Sequence, residues 1–264
     1  MNNKKISIIT VVKNGMPYIK SAIKSFELQD YQDKELIIIY SKSDDGTEEF
    51  LNKFYPNISY CDQKSLNKFG SINLGLEKAS GNIIGLLHAD DFFYNENTLK
   101  NISKNFDDEV NCIYGDIMFC KKENINAISR VWKSTNYEKL NLRFGWVPPH
   151  TSIFIKKNLI NDIGNYDETF DISSDFDFIL RLFNNEKLKP KKLDSYITVM
   201  RTGGDSTNFR KFLRKFNQDI EISSKYFKQP YLSVLLKIIS KISQFKIFKQ
   251  QLKNNYIDRL NSSL

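Results

Sequence analysis

The 264-residue chain is short of cysteine, with only Cys61, Cys112 and Cys120. Their number is odd and their spacing fits no metal-ligand pattern, which excludes a disulfide framework and a zinc cluster. They read as reduced core residues of a cytosolic protein. No apolar run approaches the ~20 residues that span a bilayer, so no transmembrane helix is expected. Strand-like sequence begins at Ile6, which leaves no room for a signal peptide. Histidine is scarcer still, with His88 and His150 alone. There is no internal repeat, no low-complexity linker, and no helix-turn-helix, zinc-finger or aromatic RNA-binding signature, so no nucleic-acid partner is expected. The expected location is the cytoplasm, with peripheral attachment to the inner face of the cytoplasmic membrane as an option.

Charge is unevenly placed. Residues 201–264 hold 13 Lys+Arg against 4 Asp+Glu, a net of +9, whereas residues 1–200 are nearly neutral at −1. A basic tail on a neutral body points to an anionic surface. The length suits one large core with an appended subdomain.

Ile6 to Val12 reads as a buried strand, Asn14-Gly15 as a turn, and Pro17 as part of the first turn of a helix carrying Ile19, Ala22, Ile23 and Phe26. Glu35–Tyr40 is a second strand. Ser43-Asp44-Asp45-Gly46-Thr47 then caps a helix through Phe54. A short strand over 58–61, a helix with Phe69, Ile72, Leu76 and Ala79 on one face, and a strand over Ile83–Leu87 complete this half. Such alternation predicts parallel strands joined by right-handed crossovers, with helices on both faces. Beyond Asp91 the pattern changes. Residues 111–120 and 128–133 form an antiparallel pair, a stiff Trp146-Val147-Pro148-Pro149-His150 loop leads into a strand at 152–155, and a helix opens at Ser173-Ser174-Asp175. A strand at Tyr196–Met200 precedes Arg201-Thr202-Gly203-Gly204-Asp205-Ser206, and the remainder is helical.

The strand at 83–87 runs into His88-Ala89-Asp90-Asp91. Ligands of such sheets sit at strand carboxyl ends. Adjacent carboxylates there are costly to desolvate unless a cation or donors compensate, and a hard divalent cation shared with a ligand's phosphates would do so. The alternative is that Asp90 caps the next helix and Asp91 is solvated.

The order of these segments resembles a family 2 glycosyltransferase with the GT-A fold. The likeness covers about residues 5–205 and rests on Ile6 to Gly15, Ser43 to Thr47, Asn73-Leu74-Gly75-Leu76, Ala89-Asp90-Asp91, and Ser174-Asp175-Phe176-Asp177 with Leu180-Arg181-Leu182. It implies a Rossmann-like, mostly parallel α/β sheet over 1–205, with a nucleotide-sugar-binding half (1–91), an acceptor-binding half (92–205), and a basic amphipathic helical extension (206–264). By the same resemblance, Asp91, with Asp90, holds Mn2+ or Mg2+, and Asp90 also lies near the donor ribose or sugar. Val11, Lys13, Ser41, Asp45 and Asn73 fall on the donor side, and Asp175 is the general base. The implied reaction is inverting transfer from a nucleotide-diphospho-sugar to a glycan or lipid-linked acceptor in bacterial surface polysaccharide or glycolipid assembly. Departures at Lys13, Tyr40, Ser41 and 62–67 bear on which nucleotide is bound.

Each site residue also has an ordinary reading. Asp175 is equally a first-turn acid favoured by the helix dipole. Asp177 has an acceptor-side or structural role, and Arg181 pairs with it along the helix. His150 and Trp146 are read as acceptor-binding, with a satisfied loop histidine as the alternative, and His88 as a packed strand-end residue. Arg201 either neutralises diphosphate charge below a flexible loop or belongs to an ordinary turn.

In the tail, Leu232, Leu235, Leu236, Ile239, Ile242 and Phe245 share a side, with lysines among them. They form either an in-plane helix on an anionic membrane, over 226–253, or a stripe packed on the catalytic domain or a second subunit. Lys13-Asn14-Gly15 lacks the Gly-rich basic loop of a nucleotidyltransferase. The remaining alternative is a catalytically degenerate nucleotide-sugar-binding scaffold of the same fold.

Overall fold

A computed structural model describes residues 4–55, 59–60, 66–202, 209–242 and 255–261. Ile58, Cys61, Asp62–Ser65, the Gly203-Gly204-Asp205-Ser206 part of the flexible-loop expectation, and residues 243–254 of the tail lie outside them.

The first half alternates β1 (Ile6–Val12), α1 (Ile19–Glu27), β2 (Lys34–Tyr40), α2 (Thr47–Phe54), β3 (Ser59–Tyr60), α3 (Lys68–Lys78) and β4 (Ile83–Leu86). These four strands pair in parallel in the order β3-β2-β1-β4, as the alternation predicts. The helix expected around Pro17 starts two residues later, at Ile19.

Strand side chains alternate between faces, so a strand buried on both sides needs two helical covers. Ile6, Ile8 and Val12 of β1 pack with Ile19, Ala22, Ile23 and Phe26 of α1. Ile9 turns to the opposite face and meets Phe69, Ile72 and Leu76 of α3. A Cβ at Gly75 would lie 2.5 Å from Ile9 Cγ2, so glycine is what lets α3 approach β1 this closely.

The second half comprises β5 (Phe92–Phe93), α4 (Thr98–Asn105), β6 (Cys112–Lys121), β7 (Asn124–Trp132), β8 (Phe154–Lys156), α5 (Lys157–Ile163), α6 (Ser174–Asn184) and β9 (Pro190–Thr202). It continues the same sheet as β4-β8-β6-β9-β5, with β7 paired to β6. β8 joins β4 and β6 antiparallel, whereas β9 runs parallel to β6. The strand expected at Tyr196–Met200 is longer because its pairing with β6 extends from Pro190 to Thr202. Cys112 and Cys120 are buried and free, as expected.

In the tail, α7 (Phe209–Ser224) and α8 (Pro230–Ile242) pack together, α7 against α6. Tyr256, Ile257 and Leu260 of α9 (Asn255–Asn261) are buried with Phe92, Met118 and Val199. The tail thus packs on the sheet domain along α9. On α8, Leu235 and Ile239 of the expected stripe remain about half exposed, while Val234 and Lys237 face inward.

One carboxylate binds three segments of the first half. Glu35 of β2 accepts from Lys5 Nζ at 2.8 Å, Ser7 Oγ at 2.5 Å and Ser80 N at 2.7 Å, the last at the turn into β4. Although burial alone would raise the Glu35 pKa, Lys5, Ser7 and Ser80 lower it to about 2. The folded value lies below the unfolded one, so this contribution is present above about pH 4.5 and disappears as pH falls toward 2. Glu35→Gln is therefore expected to cost about 2 kcal/mol in urea unfolding at pH 7, with the difference from the parent protein closing in acid. An equal deficit at pH 7 and pH 3 would contradict this.

Candidate active site

The candidate site forms where the turn that follows β4 meets the end of β9. Leu87 N donates to Ile9 O at 3.1 Å, and the chain turns so that Asp91 N donates to His88 O at 3.1 Å. Asp91 is only 1% exposed. Its Oδ1 accepts from Arg201 N at 3.2 Å, whereas its Oδ2 has no hydrogen-bond partner among the described residues. Burial and the neighbouring Asp90 push its pKa well above the usual carboxylate range, only partly offset by Arg201. This is the compensation problem the sequence posed: Asp91 is not solvated, and Asn97, not Asp90, precedes the next helix, α4.

Asp175 sits in the first turn of α6, where its Oδ1 accepts from Phe176 N at 2.8 Å. Its Oδ2 faces His150 Nδ1 at 3.6 Å. His150 Nε2 lies 3.1 Å from His88 Nε2, and His88 Nδ1 lies 3.5 Å from Asp91 Oδ2. Two histidines therefore bridge the two acids that the sequence singled out. Burial would raise the pKa of Asp175, but His150, Lys215, Lys68 and Lys237 outweigh it and hold the carboxyl below its usual range. Burial lowers His150 to about 4 against the pull of Asp175, and it takes His88 well below the usual histidine value.

Proton counting narrows the tautomers to the one that serves an ionised Asp175. Each neutral imidazole has one N–H. If one Nε2 donates to the other, a single Nδ1 retains a proton. Ionised Asp175 is the acceptor for that proton on His150, so His88 donates from Nε2 and turns the Nδ1 lone pair toward Asp91 Oδ2. Two acceptors then face each other at 3.5 Å. A proton on Asp91 or a cation relieves that conflict.

A cleft of about 920 Å³ opens over this turn, lined by Val11, Lys13, Lys68, His88, Asp90 and Asp91 among others, Arg201 included. Asp175 is not part of this lining and reaches the cleft through His150 and His88. Besides Asp175 and His150, five more of the expected residues lie outside this lining, and Arg201 lines it in another role. Asp45 accepts from Met16 N at 2.8 Å and Thr47 Oγ1 at 2.6 Å, so it braces its own loop. Asn73 holds Tyr166 O at 3.0 Å and Tyr166 N at 2.9 Å across the core. Asp177 is buried and bound to Arg181 Nε at 2.8 Å, which is the ordinary reading of that pair. Trp146 packs among Tyr114, Tyr137 and Phe183 and donates to Thr135 Oγ1 at 2.8 Å. Arg201 is buried, donating to Asp90 O and to Ser21 Oγ at 2.9 Å, so its guanidinium anchors the acidic turn instead of reaching out to a diphosphate. Ser41 is buried 1% exposed at the end of β2, with its Oγ unpartnered and outside the cleft lining.

Two residues were missed. His88 read as packing because a strand-end histidine carries no signal of its own, yet its place two residues before paired acids was a usable one. Lys68 had no sequence signal. It follows Asn67, whose side chain caps α3 by accepting from Phe69 N and Gly70 N, and the cap aims the first turn at the cleft.

Because Asn73 satisfies buried main-chain groups, Asn73→Ala should lower stability by about 2–3 kcal/mol. Calorimetric affinity of the folded variant for whichever nucleoside diphosphate the parent protein binds should stay within about twofold. A selective loss of nucleotide binding at unchanged stability would return Asn73 to the donor site.

Residues 7–161 match the family model described as Glycosyl transferase family 2. An "Uncharacterized glycosyltransferase" from Haemophilus influenzae is 26% identical over 247 residues, covering 90% of this chain and 94% of that protein. Among solved structures, S. aureus TarS 1–349 in complex with UDP-GlcNAc superimposes with a TM-score of 0.64 at 18% identity, covering 89% of this chain and 73% of that one. The mannosyltransferase PcManGT from Pyrobaculum calidifontis, in complex with GDP-Man and Mn2+, gives 0.59 at 15% identity, covering 89% and 68%. The structural likenesses carry the fold. The matched sequence takes in more than half of the chain, including β1, β4 and the His88–Asp91 turn, and on that ground the chain belongs to glycosyl transferase family 2.

Proposed function

We propose that this glycosyltransferase is metal-dependent and inverting, with a nucleotide-diphospho-sugar in the β1–β4 cleft and Asp175 as general base. The observation that carries the reading is the Asp91–His88–His150–Asp175 chain, which links a cation-seeking carboxylate to an ionised one. The neighbours in complex with UDP-GlcNAc and with GDP-Man and Mn2+ support the donor class and the metal.

The donor set fits a divalent cation. One ligand atom each from His88, Asp90 and Asp91 lies within 4.8 Å of the others, and Asp91 Oδ2 is buried without a partner. Bound there, Mn2+ or Mg2+ would stabilise the charge that grows on a departing diphosphate. A nitrogen donor beside two carboxylates favours Mn2+ over Mg2+. Val11 and Lys13 line the donor side of the cleft, and Ser41 at the neighbouring strand end is kept as a residue of the base-binding region. His150 orients Asp175 so that its Oδ2 can take the acceptor hydroxyl proton as the new bond forms. Attack from the side opposite the leaving group inverts the anomeric carbon. Lys68 is placed where it can meet diphosphate charge.

The 1–91 and 92–205 halves are proposed as donor and acceptor sides of one catalytic domain, with 206–264 contributing to the acceptor side. Bacterial surface polysaccharide or glycolipid assembly is the proposed setting. No described helix is long and apolar enough to cross a membrane. Exposed Leu232, Leu235 and Ile239 on α8 support peripheral attachment there.

Nucleoside diphosphate release should be detected with Mn2+ for at least one sugar in a panel of UDP- and GDP-sugars, and EDTA should abolish it. Asp175→Asn should bind that donor normally and lose transfer by ~10²–10⁴-fold. Near-normal turnover in that variant removes Asp175 as base, and no release from any sugar favours the scaffold reading. Pulsed EPR of bound Mn2+ should show nitrogen coupling that disappears in His88→Asn. Bound Mn2+ without coupling would take His88 out of the ligand set while leaving metal dependence intact.

A further inference from the structure

A second cavity, of about 820 Å³, adjoins the donor cleft, and Lys68 lines both. Its walls come from α7, α8 and the loop before α6. Besides Lys68, its cations are Arg210, Lys211, Arg214, Lys215, Lys237 and Lys241. Among the described lining residues only Asp171 and Asp219 are acidic. Those two are committed. Asp171 binds Arg214 at 3.1 Å, and Asp219 is shared by Lys215 at 3.2 Å and Lys237 at 3.0 Å. Arg210 and Lys211, at the exposed end, have partners of their own, and the rest of the groove holds five cations against two carboxylates.

That excess is concentrated where it is costly. Lys237 is 4% exposed, with its ammonium over the Phe176 ring, and burial together with Lys215 and Lys241 pulls its pKa to about 7 despite Asp219. Like charges crowded in a half-closed, low-dielectric space repel unless an anion joins them. The remaining walls are apolar, with Phe69, Ile172, Phe212, Phe216 and Ile238. Phe212 of α7 is about half exposed, so this apolar wall reaches the mouth of the groove. An inorganic anion would use the cations and leave these side chains uncovered. A plain hydrocarbon would do the reverse.

The groove also lies on the side of the proposed base. Lys215 Nζ donates to Ser173 Oγ at 3.3 Å, two residues before Asp175, and the cations Lys215, Lys68 and Lys237 act on the Asp175 carboxyl. We propose that this groove is the acceptor site and that the acceptor is a phosphate-bearing amphiphile, its phosphate among the lysines and its apolar chain along α7 and α8. The inference rests on the transfer reading above and supplies the acceptor class that reading lacks.

Calorimetry on the full chain tests it with decyl phosphate below its micellar concentration, against neutral decyl maltoside and inorganic phosphate. Decyl phosphate should bind at least tenfold more tightly than either. The exposed pair Arg210→Glu/Lys211→Glu should lose at least tenfold of that affinity, and Lys241→Ala should weaken it several-fold, with UDP affinity unchanged in both. Equal binding of decyl maltoside, equal binding of inorganic phosphate, or indifference to both sets of substitutions would overturn the proposal. So would flotation with phosphatidylglycerol vesicles in the absence of decyl phosphate binding, which would make the face a membrane surface. None of these readouts needs metal or turnover. Failure of amphiphile binding with intact nucleoside diphosphate release removes this inference alone, whereas loss of release with intact amphiphile binding removes the transferase reading.

Discussion

The structure of the site depends on a buried carboxylate that the fold leaves half satisfied. Asp91 gives one oxygen to the Arg201 main chain, and the other has no hydrogen-bond partner among the described residues. An isolated ionised group in that position is expensive, and the surroundings meet the cost in part. Arg201 is clasped between the Tyr18 and Phe92 rings and ties the acidic turn to β9 and α1. That clasp rigidifies the turn, and the remaining oxygen is what suits the turn to the proposed cation.

The two histidines extend the same constraint to the other acid. Each imidazole has one proton to give, so a pair of them between two carboxylates can serve only one. The asymmetry sends the proton toward Asp175 and the lone pair toward Asp91. On the proposed reading, metal seat and base are joined by one chain of close contacts with the His88–His150 hydrogen bond at its centre, and the lysines of α3, α7 and α8 keep Asp175 ionised. The proposed donor and acceptor cavities meet at Lys68, which borders both.

Much of this was legible before any coordinates. The alternation around Ile6–Val12 and Ile83–Leu87 predicted the parallel half, because apolar period and turn residues are local properties. Asp91 and Asp175 stood out as acids at strand and helix ends. Asp45, Asn73 and Asp177 stood out in the same way and proved to be braces, since a polar residue that satisfies a buried main chain and one that binds a ligand look alike in one dimension. The tail was ambiguous for a related reason. Its apolar stripe did not reveal that Lys237 would be the inward residue and Leu235 and Ile239 the outward ones.

By itself the sequence determined the α/β class, the parallel first half, the family resemblance and the two acids, all of which follow from short-range patterns. The tertiary structure alone decided that His88 and His150, 62 positions apart, would touch, that Arg201 would turn inward, and that Lys68 would stand between two cavities. Those outcomes depend on how β4, β8 and β9 pair and where α3 and α7 pack against them. Such long-range contacts follow from burying the whole core at once, and no local spacing encodes them.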